Sequence, residues 1–90
     1  MKSRMQLDEN VCYRCKCYGE HMDVHHVFNG PYKEKSEEDG FIVYVHRQCH
    51  DLIHRNAVIR LKMKQEGQRR YEASIGDRQS FIERYGKSYL

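Results

Sequence analysis

The sequence predicts a small α+β domain stapled by metal, and three observations point there. Two short runs rich in β-branched and aromatic residues, at 24–28 and 41–45, are followed from Cys49 onward by apolar residues at helical spacing. All four Cys and all six His fall between Val11 and His54. With 90 residues, three Phe, no Trp and a mean hydropathy of −0.95, hydrophobic burial alone gives such a chain little stability. A metal or a partner is expected to supply what the core lacks.

Taken in order, residues 1–10 are polar and aperiodic and predict a flexible lead-in. Val24-His25-His26-Val27-Phe28 and Phe41-Ile42-Val43-Tyr44-Val45 predict two strands. The stretch from Asn29 to Gly40, with Gly30-Pro31 and a run of charges, predicts the loop between them. Two strands alone do not stand in water, so a helix must cover them. Cys49 to about Tyr71 supplies it, with a break near Arg55-Asn56 and a weak point at Gly67. Asp77 is a good N-cap for a shorter helix through Tyr85, with Phe81, Ile82 and Tyr85 on one face and Gly86 as the stop. The division expected is a lead-in (1–10), a metal-stapled domain (11–55) and a helical extension packing on it (56–90).

Charge is unevenly placed. Residues 1–46 hold six Lys/Arg against eight Asp/Glu, and residues 47–90 hold ten against five, so the halves carry −2 and +5. An anionic partner suits the second half. No run of about 18 apolar residues is long enough for a membrane span. The opening Met1-Lys2-Ser3-Arg4-Met5-Gln6 lacks the apolar stretch of a secretion signal, so a cytoplasmic protein without a membrane partner is expected.

In a reducing compartment, cysteines at this spacing read as metal ligands rather than disulfides. Cys12-Tyr13-Arg14-Cys15 is a C-x-x-C knuckle, and His46-Arg47-Gln48-Cys49 repeats the spacing 31 residues later. Together they offer the four thiolate and imidazole ligands that a structural zinc ion prefers. Cys17 competes with His46 for the fourth place, and the matching spacing favours His46. His50 and His54, four apart on a helix, share a face and can grip one ion. The His25-His26 pair lies on a strand, where neighbouring side chains point to opposite faces unless the strand bends.

These residues spell a pattern. Cys12-x-x-Cys15, Val24-His25-His26-Val27 and Val45-His46-x-x-Cys49-His50-x-x-x-His54 closely resemble the zinc-knuckled HNH endonucleases, whose ββα-metal fold is also called the His-Me finger. The resemblance covers about residues 11–55. The stretches Leu61–Gln68 and Tyr85–Leu90 look similar to small HNH-like proteins of bacteriophages and prophages, which would put the protein in a bacterial host. The resemblance implies a structural Zn²⁺ on Cys12, Cys15, His46 and Cys49. It further implies a catalytic divalent ion (Mg²⁺, Mn²⁺, Ni²⁺ or Zn²⁺) on His25, His50 and His54, with His26 as general base, and DNA hydrolysis leaving 5′-phosphate ends. The middle Asn of the pattern is missing: Asp39-Gly40-Phe41-Ile42 stands where it is expected, and neither Asn29 nor Asn56 occupies that place. Ser36, Glu37 or Asp39 are the candidates to replace it by accepting a hydrogen bond from His26.

Arg47 and Arg55 flank the helical histidines and are candidate phosphate clamps. Lys62, Lys64, Arg69 and Arg70 form a basic group that could follow a DNA backbone, although a solvated helix face is the simpler reading. Asp23, two before His25, reads either as a turn residue or as part of the metal's surroundings. Tyr13, Tyr18 and Tyr44 are expected to complete a thin core rather than stack on bases. A catalytically inactive zinc-stabilised module that binds DNA or protein, and a phage accessory or inhibitor protein, remain the alternatives to a nuclease.

Overall fold

A computed structural model describes residues 2–90 of the chain. Strand β1 (Asp23–His26) pairs antiparallel with β2 (Ile42–Val45), in the register Asp23↔Val45, Val24↔Tyr44, His25↔Val43 and His26↔Ile42. Directly opposed residues share a face, so His25 sits with Val43 and His26 with Ile42. Val27, Phe28 and Phe41, expected inside the strands, lie just beyond them as buried residues, with the Val27 N–H donating to the Phe41 carbonyl at 3.0 Å. Helix α1 (Lys33–Glu38) joins the strands, and α2 (Arg47–Arg55), α3 (Ala57–Ser74) and α4 (Arg78–Tyr85) follow. The architecture is α+β, with four helices and one two-stranded sheet among the described residues.

Two expectations are corrected here. The connection from Asn29 to Gly40 is not a loop, because a single turn over Gly30–Tyr32, begun by Pro31, runs into α1. A six-residue helix without apolar periodicity has no helical signature in sequence; tertiary bonds hold it. The fully buried Ser36 donates its hydroxyl to the Phe41 carbonyl at 2.6 Å and accepts the Phe28 N–H at 3.1 Å. From α4, Arg84 grips Glu38 and Asp39, and the Tyr85 phenol donates to Asp39 at 2.6 Å.

Nor is the lead-in loose. Ser3 donates to the Ile42 carbonyl, the Arg4 N–H donates to the Gly40 carbonyl at 2.7 Å, and Gln6 accepts the Tyr44 N–H at 2.8 Å. Met5 is buried between these bonds. The segment therefore satisfies backbone groups along β2 that a two-stranded sheet leaves open, using polar residues that carry no periodicity.

The helices keep their expected punctuation. Asn56 ends α2 and caps α3, accepting the Ile59 N–H at 3.1 Å, and Asp77 caps α4 through the Ser80 N–H at 2.9 Å. Gly86 closes α4 in the left-handed region at φ 87°. The boundaries differ from expectation only at the ends: α2 starts at Arg47, and α3 runs past Tyr71 to Ser74. Residues 56–90 contribute Met63, Tyr71, Phe81 and Tyr85 to the same core as Val27, Phe28 and Phe41. Phe28 meets Phe41 and Phe81 edge-on at 5.5 and 5.4 Å, and Tyr71 and Tyr85 close around Phe81 at 5.3 and 5.0 Å. Buried Gln68 accepts the Tyr89 N–H and donates to Ser88 and Glu72, which ties the C-terminal tail to α3. Among the described residues, no helix is long and apolar enough to cross a membrane.

Candidate metal centres

The first candidate centre joins a knuckle to the start of α2. In the knuckle, the Cys12 N–H donates to the Cys17 carbonyl and the Lys16 N–H to the Cys12 carbonyl, both at 2.8 Å, with Lys16 at φ 65°. That turn presents Cys12 and Cys15; His46, the residue capping α2, and Cys49 in its first turn face them. The four ligand atoms lie within 4.8 Å of one another. Two sulfurs on one tetrahedral zinc stand about 3.8 Å apart, so the group fits such an ion.

His46 is already set for this role. Its Nε2 sits 3.2 Å from the Tyr18 carbonyl, which can only accept, so Nε2 carries the proton and Nδ1 keeps its lone pair, 3.3 Å from Cys15 Sγ. Gly19 makes this ring position available, because a Cβ there would lie 2.7 Å from His46 Nε2. The Cys17 N–H, foremost among several bonds, pulls the Cys15 thiol down to about 6, while burial and then the neighbouring thiols push Cys49 up to about 11. Sulfurs this crowded share protons unevenly, and a dication takes the place of those protons. Cys17 lies outside the group, with its sulfur 3.6 Å from the Cys15 carbonyl. The group of Cys12, Cys15, His46 and Cys49 can hold a structural metal such as zinc.

The second centre brings together His25, His50 and His54, again with ligand atoms within 4.8 Å. His25 comes from β1 and is 3% exposed; the other two project from one face of α2. Burial, then the neighbouring histidines, lowers the His25 imidazole to about 4, so the ring is neutral at physiological pH. His50 Nδ1 donates to Asp23 Oδ2 at 3.0 Å, leaving Nε2 with its lone pair 3.0 Å from His54 Nε2. Two nitrogens bound at right angles to one ion, each about 2.1 Å from it, lie about 3.0 Å apart. Asp23 is therefore more than a turn residue. It fixes the His50 tautomer, as carboxylates behind metal-ligating histidines do, and the His50 bond is the first cause holding its own carboxyl below the usual range. Arg47 pairs with the same oxygen at 2.7 Å, so the expected phosphate clamp is engaged with Asp23.

His26 opens onto the same cleft, whose walls are Val24, His25, His26, Asn29, Lys33, His50 and His54. Of the three candidates to steady it, Glu37 reaches it: Oε2 lies 3.1 Å from His26 Nε2. A carboxylate accepts, so Nε2 carries the proton and Nδ1 is left as the basic nitrogen. Ser36 is consumed by Phe28 and Phe41, and Asp39 by Arg84 and Tyr85. Asn29, set aside on spacing, stands in the cleft wall, and Lys33 was not anticipated at all. Lys33 and Glu37 are four apart on α1, a signal that existed only for a reader who knew that α1 was a helix.

No protein-family model, curated protein or solved structure matches this chain. The chemistry of the two centres therefore carries the functional argument.

The remaining expected residues scatter. Arg55 bonds the Asp51 carbonyl at 3.3 Å. Lys62 borders an apolar hollow with Tyr13, Arg14, Ile59 and Met63, while Lys64 lies over the Tyr89 ring. Arg69 and Arg70 pair with Glu66. Tyr13 packs against the core, but Tyr18 is 66% exposed and acts through its carbonyl.

Proposed function

We propose that the protein is a metal-dependent endonuclease of the HNH type, with a ββα-metal arrangement of β1, β2 and α2, hydrolysing phosphodiester bonds in DNA. One observation carries this reading: three histidines suited to one divalent ion and a fourth with a free basic nitrogen share one cleft. His26 Nδ1 takes a proton from water, and the resulting hydroxide attacks phosphorus as the bond to the 3′ oxygen breaks, leaving a 5′-phosphate. Glu37 holds the His26 ring and stabilises the imidazolium that forms. Lys33 and Asn29 offer an ammonium and an amide to the non-bridging phosphate oxygens. An ion on His25, His50 and His54 would supply Lewis-acid stabilisation of the charge developing on the phosphate. Asp23 and Arg47 keep His50 in the tautomer this requires. Cys12, Cys15, His46 and Cys49 would hold a structural zinc, which would anchor α2 against the knuckle.

Supercoiled plasmid tests the reading directly. Zinc-loaded protein freed of exchangeable ions is expected to nick it only when Mg²⁺, Mn²⁺ or Ni²⁺ is resupplied. His26→Ala, folded and with its zinc retained, is expected to lose at least about 100-fold in rate. Equal nicking by His26→Ala contradicts the assignment of the base. No nicking by the folded wild type, on duplex and single-stranded substrates alike, favours a binding module instead.

A further inference from the structure

The cations of α3 fall into two sets. In its second half, Arg69 and Arg70 are matched by Glu66, and Arg70 also donates to the Arg4 carbonyl at 2.8 Å. In its first half no cation has a carboxylate partner among the described residues: Lys62 borders the knuckle hollow, while Arg60 and Lys64, together with Lys87 in the tail, form a second unpaired group. These three are nevertheless drawn together. The Lys64 and Lys87 ammonium groups lie 5.3 and 5.2 Å from the centre of the same Tyr89 ring, whose backbone is pinned by Gln68 and Gln65. Arg60 Nη1 donates to the Ile53 and His54 carbonyls at the end of α2, which leaves the rest of its guanidinium unpaired beside the histidine centre. Partial burial, then the Arg60 and Lys87 charges, holds the Lys64 ammonium below its ordinary range. Cations gathered without counter-charges favour an anion in their midst.

We propose that Arg60, Lys64 and Lys87 form a phosphate-binding track that takes the nucleic-acid strand flanking the bond cleaved in the histidine cleft. This extends, and rests on, the hydrolytic reading of that cleft. Arg60 links the two, since it bonds the carbonyl of His54, one of the three metal-site histidines. A backbone of repeated phosphates can be met by separate cations, of which Arg60 bonds the end of the helix that carries His54. Lys62, two residues from Lys64 and thus on another side of α3, borders the knuckle hollow and lies off the track. The charged group expected on Lys62, Lys64, Arg69 and Arg70 is thereby replaced by one that crosses from α3 to the tail.

The test is salt-dependent binding of a labelled duplex, read by fluorescence anisotropy with zinc-loaded His26→Ala protein so that no cleavage is required. Adding Lys64→Gln and Lys87→Gln together is expected to weaken binding and to reduce the slope of log K against log salt by about 1.8, at about 0.9 for each lost phosphate contact. Lys62→Gln is expected to leave the slope unchanged. The track is overturned by an unchanged slope in the folded, zinc-loaded double variant, or by an equal drop with Lys62→Gln. Absence of DNA binding, or salt-sensitive binding to anionic vesicles in its place, overturns it as well. If the slope falls as expected while wild-type protein never nicks DNA, the track stands and the hydrolytic reading fails.

Discussion

His25 and His26 are neighbours on one strand, yet they face different partners. His25 turns toward α2 and is buried beside His50 and His54, whereas His26, at the last position of β1, meets Glu37 on α1. The strand's alternation separates them, and its ending at His26 lets both reach the same cleft. Under the proposed hydrolytic reading Glu37 would be a positioning residue, acting only through the imidazole it bonds. Glu37→Gln keeps the shape and removes the charge that favours the protonated ring. It is expected to lower kcat by about tenfold or more, a part of the roughly 10²–10⁴-fold that a placed base supplies, with KM and metal content little changed. Steady-state nicking kinetics check this; a change confined to KM would move Glu37 to substrate binding. The two side-chain clusters were legible in the sequence because their members come in pairs at short fixed spacing. Glu37 was legible only as one of three candidates beside Ser36 and Asp39, and Lys33 and Asn29 not at all as cleft residues, since a helix that packing creates sets which of them reach the cleft.

Among the elements, α3 explains a glycine that looked like a weakness. The helix runs unbroken through Gly67, where a Cβ would lie 3.1 Å from the Phe28 ring and 3.2 Å from Val27. Phe28 cannot yield, since Phe41, Phe81 and Tyr85 enclose it. Close approach of α3 to the end of β1 thus requires the missing side chain. Gly67→Ala gains about 0.5–1 kcal/mol of helix propensity but incurs about 1–3 kcal/mol of overpacking. A net loss near 1 kcal/mol is expected, about 4–8 °C in Tm for a domain of this size, measurable by thermal unfolding. A raised Tm would mean that the hairpin end gives way. The caps at Asn56, Asp77 and Gly86 were readable because each is a local hydrogen bond or backbone conformation. Helix α1 and the docked N-terminal segment were not, because Ser36, Arg84, Gln6 and Arg4 bond groups 5 to 46 residues away.

For the molecule as a whole, metal sites and stability respond to protons in the same direction. His25 is held near 4 when folded, against 6.5 for a free imidazole, so between those values the unfolded chain binds more protons and acid favours it. The Cys15 thiol, drawn from 9.0 down to about 6, likewise contributes stability that is full above the unfolded value and is lost as pH falls from about 9 to about 6. An ion bound at either candidate centre would add to both, because each ligand must be deprotonated. Zinc-loaded protein is therefore expected to lose stability steadily from about pH 6.5 to about pH 4, read as falling urea midpoints; a flat profile would contradict the burial of a neutral His25. Across the molecule, the division of labour among the histidines is the central claim, and titration calorimetry tests it most directly. Ni²⁺, an ion suited to imidazole, is titrated into zinc-loaded protein while zinc retention is monitored. The account predicts one further equivalent bound by wild type and by His26→Ala, and none by His54→Ala. Failure of wild type to bind it, or its loss in His26→Ala with retention in His54→Ala, would contradict the assignment.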